Sequence, residues 1–169
     1  MLFLSQKGVL VTKTSKALYF LISVIFFIVF DIYFSELILS TLRFQIRQNQ
    51  LLDLIFIQNT GAAFSILQNS QTFLIIFSVF AILSIIVYSL RNAEKFSVFA
   101  GFWTAMLVAG IICNTYERIY FGYVRDFFKL NFVNFPVFNI SDIFINIGVI
   151  ALIIIIIKNK YLKNETNYR

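Results

Sequence analysis

The stretch Thr72-Phe-Leu-Ile-Ile-Phe-Ser-Val-Phe-Ala-Ile-Leu-Ser-Ile-Ile-Val-Tyr-Ser-Leu90 carries no charge and closes on Arg91. A helix rises about 1.5 Å per residue, so such a run is about long enough to cross a bilayer's hydrocarbon core. Three other stretches read the same way: Ala17 to Phe34, Phe96 to Cys113 and Ser141 to Ile157. Each is bounded by charged or polar residues, and the only charges within them are Asp31 and, at the start of the fourth, Asp142. Helices satisfy their own backbone hydrogen bonds, which makes four of them the simplest solution in lipid. Composition agrees, with 60% hydrophobic and 13% charged residues, against about 45–50% and about 25% for soluble domains. No linker or low-complexity stretch divides residues 1–169, so the expectation is one all-α membrane domain. The 22 Phe residues read as compositional bias rather than function.

Lys7, Lys13 and Lys16 precede the first run as the basic region of a signal peptide would. No small-residue cleavage site follows Phe30, where the chain continues Asp31-Ile-Tyr-Phe-Ser-Glu36. The first run is therefore expected to stay as an anchor. Lys and Arg then set the orientation. The N-terminus, the second loop (Arg91, Lys95) and the tail (Lys158, Lys160, Lys163, Arg169) hold nine, and the first and third loops hold five: Arg43, Arg47, Arg118, Arg125 and Lys129. Both termini are expected in the cytoplasm. Asp31, Glu36, Asp53, Glu117, Asp126 and Asp142 then lie on or near the outer face, with Glu94 and Glu165 inside.

The residue inventory narrows the chemistry. The chain has no histidine, which removes Ser-His and Cys-His nucleophile pairs and His-ligated metals. Two carboxyls, one with a raised pKa, are the remaining acid–base device near neutral pH. The net charge of +6 does not imply nucleic acid, because the basic residues cluster at the ends of apolar runs rather than in a patch. Cys113 is the single cysteine; it cannot form an intrachain disulfide and reads as a small residue near a helix end.

Polar residues concentrate in three places. In the first loop, Leu51-Leu-Asp-Leu-Ile-Phe-Ile-Gln-Asn-Thr-Gly61 partly alternates and ends in a turn signal, which predicts a short strand or two on the outer surface. Asn59-Thr-Gly-Ala-Ala-Phe-Ser65 follows, small and polar in a bulky chain. Gly61 permits a positive φ or a close approach, and as a bare pattern this is an ordinary turn. At the end of the third run, Gly110, Asn114 and Arg118 are spaced i, i+4, i+8, one face of a continuing helix. Gly110 allows close helix packing, and Asn114 and Arg118 suit a carbonyl or carboxylate. Snorkelling explains Arg118 but not Asn114. The third loop reads Val124-Arg-Asp126, an aromatic stretch Phe127 to Phe135 suited to the interface or outer leaflet, Pro136, then Val-Phe-Asn139-Ile-Ser-Asp142. Asp142 reads equally as a helix-capping carboxylate and as a functional group entering a span. Asn139 or Ser141 are alternative caps.

Taken together, these residues resemble the bacterial lipoprotein signal peptidase family, signal peptidase II. The resemblance rests on Asn59-Thr-Gly-Ala-Ala-Phe-Ser65, Gly110-x3-Asn114-x3-Arg118, Val124-Arg-Asp126 and Phe138-Asn139-Ile-Ser-Asp142 followed by Gly148, in this order across nearly the whole chain. It implies four spans, a small extracytoplasmic β platform from the first loop and a mobile helix covering the site. Asp126 and Asp142 match the family's catalytic dyad. Asn59, Gly61, Gly110, Asn114, Arg118 and Asn139 match residues that bind substrate or support the dyad, and Asp31 matches an acidic residue ending the first helix. Two departures stand out. Glu117 takes the place of an Asp in the family's Asn-x-x-Asp-Arg, and Ser35 stands where a Lys often follows the first-helix Asp.

The resemblance implies an aspartic endopeptidase that removes signal peptides from diacylglyceryl-modified prolipoproteins, cutting N-terminal to the lipidated cysteine. Two close carboxyls share a proton and titrate as a pair. No metal or organic cofactor is required. The expected partners are lipidated prolipoproteins and the phospholipid bilayer, with no nucleic acid and a monomeric enzyme in the inner membrane. The competing reading is a non-enzymatic four-helix transporter or assembly factor, with Asp31, Asp126 and Asp142 forming a proton or cation path. Such a path puts ionisable groups deep in spans or repeats its halves, whereas here the acidic groups gather on one face. A serine–lysine peptidase fits less well, since no Lys falls within a span.

Overall fold

The structure, a computed structural model, describes residues 12–42, 51–62, 66–93 and 97–167. In chain order its elements are α1 (Lys13–Leu42), β1 (Leu52–Asn59), α2 (Gln71–Arg91), α3 (Val98–Phe121), β2 (Val124–Leu130) and α4 (Ile140–Asn167). All four helices are long and apolar enough to cross a membrane. Outside the described residues fall Lys7, Arg43, Arg47, Glu94, Lys95, Phe96 and Arg169, together with the Ala63-Phe-Ser65 end of the small-residue segment. The covering helix expected in the first loop is not among that loop's described residues.

α3 is the centre of the bundle, packing against α1, α2 and α4. Over its spanning window 56% of residues are buried, against 6% for α2. α3 can be central because its inward face is small: Ala100, Thr104, Ala105, Val108, Ala109 and Gly110 are all buried. α2 instead turns Phe73, Ile76, Phe77, Phe80, Leu83 and Val87 outward, the side chains expected against acyl chains rather than water. One core cluster joins Phe27 of α1, Met106 and Ala109 of α3, and Ile140 and Phe144 of α4 to Phe127 of β2. The strand is thereby seated in the bundle.

Two glycines set the distance between α3 and α4. A Cβ on Gly110 would lie 2.6 Å from the Ser141 carbonyl oxygen, and one on Gly148 would lie 2.9 Å from Leu107 Cβ. Each helix thus gives up a side chain where its partner's backbone passes.

Helix ends depart from the apolar runs. α1 continues past Phe34 to Leu42, and α3 continues past Cys113 to Phe121. Ser97 caps α3 by accepting from the Ala100 amide at 3.0 Å. Gly122, at φ +80°, ends it in the left-handed conformation with its N–H on the Arg118 carbonyl, a position that favours glycine.

The β platform also differs from expectation in its makeup. Among its described residues the first loop contributes one strand, β1, and the antiparallel partner β2 comes from the third loop, with Leu52 opposite Leu130 and Asn59 opposite Val124. A register irregularity between Leu54 and Ile57 marks a bulge. The start of the expected aromatic loop is therefore strand, and it carries Asp126.

Candidate active site

Five elements or their flanking turns converge at one end of the bundle. Asp126 is buried on β2, opposite Ile57 of β1. Asn59, at the end of β1, donates from Nδ2 to Asp126 Oδ2 at 2.9 Å. The other end of the Asn59 amide accepts from the Gly61 N–H at 2.9 Å, so one side chain both shapes the turn and holds the carboxyl. Gln71, at the start of α2, closes this turn by donating to the Thr60 carbonyl.

Asp142 occupies the first turn of α4. Asn139 is the helix cap: its Oδ1 accepts from the Asp142 N–H at 2.9 Å, while Asp142 Oδ2 accepts from the Asn139 N–H at 3.2 Å. This reciprocal pair is a capping box. The second oxygen, Oδ1, accepts from Asn114 Nδ2 of α3 at 2.9 Å. Asn139 Nδ2 donates to Asn114 Oδ1 at 3.0 Å, which closes the ring. The two sequence readings of Asp142 are thus compatible: one oxygen caps the helix and the other faces α3.

Arg118 lies one turn beyond Asn114 and turns inward rather than snorkelling. Its Nη2 donates to the Gly61 carbonyl at 2.8 Å and its Nη1 to the Asn114 carbonyl at 3.2 Å. The guanidinium therefore ties α3 to the turn after β1. Gly61 contributes a backbone carbonyl and Gly110 contributes space.

The electrostatics couple the two aspartates. Burial pushes the Asp126 carboxyl up to about 7, and the negative charge of Asp142 adds to this. Glu117 acts in the same direction, while the Asn59 hydrogen bond and Arg118 oppose it. Among the described residues, Asp126 Oδ1 and Arg118 Nε are buried without a hydrogen-bond partner. A carboxyl held near neutrality beside a second carboxyl is what water activation needs. Among the described residues no cluster of His, Cys, Asp and Glu has metal-ligand geometry.

Asp31 sits at the edge of this assembly. It is buried on α1 and accepts from Ser141 Oγ of α4 at 2.6 Å. The site also contains Arg125, which the sequence marks as a loop charge and as part of Val124-Arg-Asp126 without giving it a partner. Arg125 bridges Glu117 of α3 and Glu36 of α1 at 2.7 Å each. The available signal was a Glu and an Arg placed on either side of the Gly122 turn.

A family model described as Signal peptidase (SPase) II matches residues 23–158. The lipoprotein signal peptidase of Streptococcus thermophilus (strain CNRZ 1066) is 37% identical over 107 residues, covering 63% of this chain and 69% of that protein. That of Latilactobacillus sakei subsp. sakei (strain 23K) is 35% identical over 111 residues, covering 65% and 73%. A bacterial membrane enzyme solved by the in meso method at 2.3 Å superposes with a TM-score of 0.73 at 28% identity, covering 83% of this chain and 88% of that one. A second, solved by the same method at 1.9 Å, gives 0.69 at 29% identity, with coverage of 82% and 92%. Sequence match and superposition agree over most of the four-helix bundle, and on that basis the chain belongs to the signal peptidase II family of aspartic endopeptidases.

Proposed function

We propose that this enzyme cleaves signal peptides from diacylglyceryl-modified prolipoproteins, N-terminal to the lipidated cysteine, with Asp126 and Asp142 as the catalytic dyad. The observation that carries the reading is the convergence of the two carboxyls from β2 and α4, each fixed by an Asn from a different element. The relatives' names supply the substrate class.

Roles follow from the hydrogen bonding. Both oxygens of Asp142 accept, Oδ1 from Asn114 and Oδ2 from the Asn139 amide, the pattern suited to a carboxylate. Asp126 has one oxygen without a partner among the described residues and a carboxyl held up to about 7, so it carries the shared proton. Asp142 takes a proton from water as the water attacks the scissile carbonyl. Asp126 donates a hydrogen bond to the carbonyl oxygen, and the proton on Asp142 passes to the leaving amine. Arg118, fixed by the Gly61 and Asn114 carbonyls, puts a positive charge beside both aspartates, where it stabilises the developing oxyanion.

Lys16, Leu90 and Ser97 line one crevice at the opposite end of the helices from the dyad. With the excess of Lys and Arg there, this supports cytoplasmic termini and an active site facing the outer leaflet. A substrate anchored by its own acyl chains is then presented at the membrane surface. We read residues 1–169 as a single, monomeric peptidase domain. The test is incubation of the purified protein in bilayers with a lipidated and an unlipidated prolipoprotein. Cleavage of the lipidated form alone is expected, and equal cleavage of both overturns the substrate assignment.

A further inference from the structure

We propose that Arg125 is a positioning residue for peptide cleavage, strapping β2 to α3 and α1 so that the neighbouring Asp126 keeps its place. This rests on Asp126 belonging to the dyad. The strap spans three elements. Glu117 of α3 accepts from the Arg125 backbone N–H at 2.7 Å and from its Nε at 2.8 Å, and its carboxylate lies 2.7 Å from Nη2. Arg125 Nη1 reaches Glu36 of α1 at 2.7 Å, and the guanidinium lies 4.4 Å from the centre of the Phe121 ring.

The side-chain contacts hold Glu117 where its other oxygen can also take the backbone N–H. On the same edge of β2, the N–H groups of Phe127 and Phe128 donate to the Phe138 carbonyl at 3.1 and 2.8 Å. Asp126 therefore lies between two gripped amides, one held by a carboxylate and the other by the segment leading into α4. β1 and Asn59 hold the other edge. Neither sliding nor tilting of the strand is possible without breaking these contacts.

The two carboxylates are unequal partners. Glu117 is buried, whereas the Glu36 side chain is 57% exposed and the Arg125 side chain 15%. An exposed ion pair contributes little, while the buried one, with Nε and Nη2 both on Glu117 Oε1 and the backbone N–H on Oε2, is charge-assisted and costly to break from one side. Lys cannot reproduce the fork that serves Glu117 through two nitrogens and Glu36 through a third.

The test compares Arg125→Gln, Arg125→Lys, the double variant Glu117→Gln/Arg125→Gln and Asp126→Asn on a lipidated prolipoprotein. The double variant leaves no unpaired buried charge, so it separates positioning from the cost of an orphaned Glu117. Both Gln variants should lose roughly 10- to 100-fold in kcat, since a displacement near 1 Å can cost that much, with KM within about twofold. Arg125→Lys should recover part of kcat. The groups facing Asp126 are Asp142 of α4, Glu117 and Arg118 of α3, and Asn59 of β1. Arg125→Gln leaves all of them in place, so a lowered alkaline limb in its pH–rate profile reports movement of Asp126 itself. Wild-type kcat and pH profile in Arg125→Lys or in the double variant overturn the strap. If Asp126→Asn still cleaves, the dyad reading falls and the strap falls with it. If Asp126→Asn is inactive while the Arg125 variants keep wild-type kcat, only the strap is wrong.

Discussion

Asn114 Nδ2 lies 2.9 Å from Asp142 Oδ1, a hydrogen bond that crosses from α3 to the first turn of α4. The same side chain accepts from Asn139 Nδ2 at 3.0 Å. Asn114→Ala strands a buried donor on Asn139 and an acceptor on Asp142, at a cost of about 1–3 kcal/mol. Cleavage should fall at least tenfold and the unfolding temperature in micelles should drop. Asn114→Asp is the sharper probe, because an ionised carboxylate there cannot donate to Asp142. It should be less active than the Ala variant at neutral pH, and the reverse order would show that the hydrogen bond does not hold the dyad.

That bond forms because the helices approach closely one turn earlier. Gly110→Ala would place a Cβ 2.6 Å from the Ser141 carbonyl and 2.9 Å from Ile145 Cγ1. The first of these is backbone and cannot rotate away, so α3 and α4 must separate. Overpacking of this kind costs about 1–3 kcal/mol, and both stability and activity should fall. Gly101→Ala is the matched control on the same helix, since its Cβ meets nothing within 4 Å among the described residues. It should leave activity intact and raise stability by up to about 1 kcal/mol. Thermal unfolding and cleavage rates of the pair decide the matter; equal behaviour would refute the close-approach argument.

The dyad's proton should appear in the pH–rate profile. Asp126 is held up to about 7, first by burial and then by the charge of Asp142. If it must be protonated to polarise the carbonyl, kcat should fall as pH rises through about 7, with the apparent value belonging to the pair. Asn59→Ala removes a hydrogen bond that favours the ionised form, so its alkaline limb should move to higher pH. A limb that stays put, or moves down, argues against Asp126 as the proton carrier.

The spans were legible because hydrocarbon imposes one requirement, a long apolar run, that few other structures share. Their ends were not, because beyond the hydrocarbon region a helix tolerates charge. α1 therefore continues through Glu36, and α3 through Glu117 and Arg118. The ladder Gly110, Asn114, Arg118 could be read because helical period alone places it on one face. β2 could not. Phe127 and Phe128 break the alternation that marks a strand, and the partner strand lies some 70 residues away, with Leu52 opposite Leu130. The Arg125 strap was hidden for the same reason, since Glu36 is 89 residues distant. Ser35 and Glu117 looked like isolated departures in the sequence. In the fold Ser35 is buried, Asp31 is met by a hydroxyl from Ser141, and the cation beside Glu117 comes from β2.

Asp126 should also make the wild-type fold less stable as pH rises, the opposite of an ion-paired aspartate. Its folded value of about 7 stands above the roughly 3.9 of an unfolded Asp. Between those values the folded state holds a proton that the unfolded state has lost, so unfolding free energy falls with increasing pH and levels off above about 7. The full shift corresponds to on the order of 4 kcal/mol, an upper figure because Asp142 titrates with it. Asp126→Asn removes the ionisation while its amide oxygen can still accept from Asn59. The variant should therefore gain on the wild type as pH rises, with the difference in micellar unfolding temperature larger near pH 8 than near pH 5. It should at the same time be inactive. A difference that is flat across this range would mean that Asp126 ionises as an ordinary exposed carboxylate, and the proton assigned to it in the reaction would have to sit elsewhere.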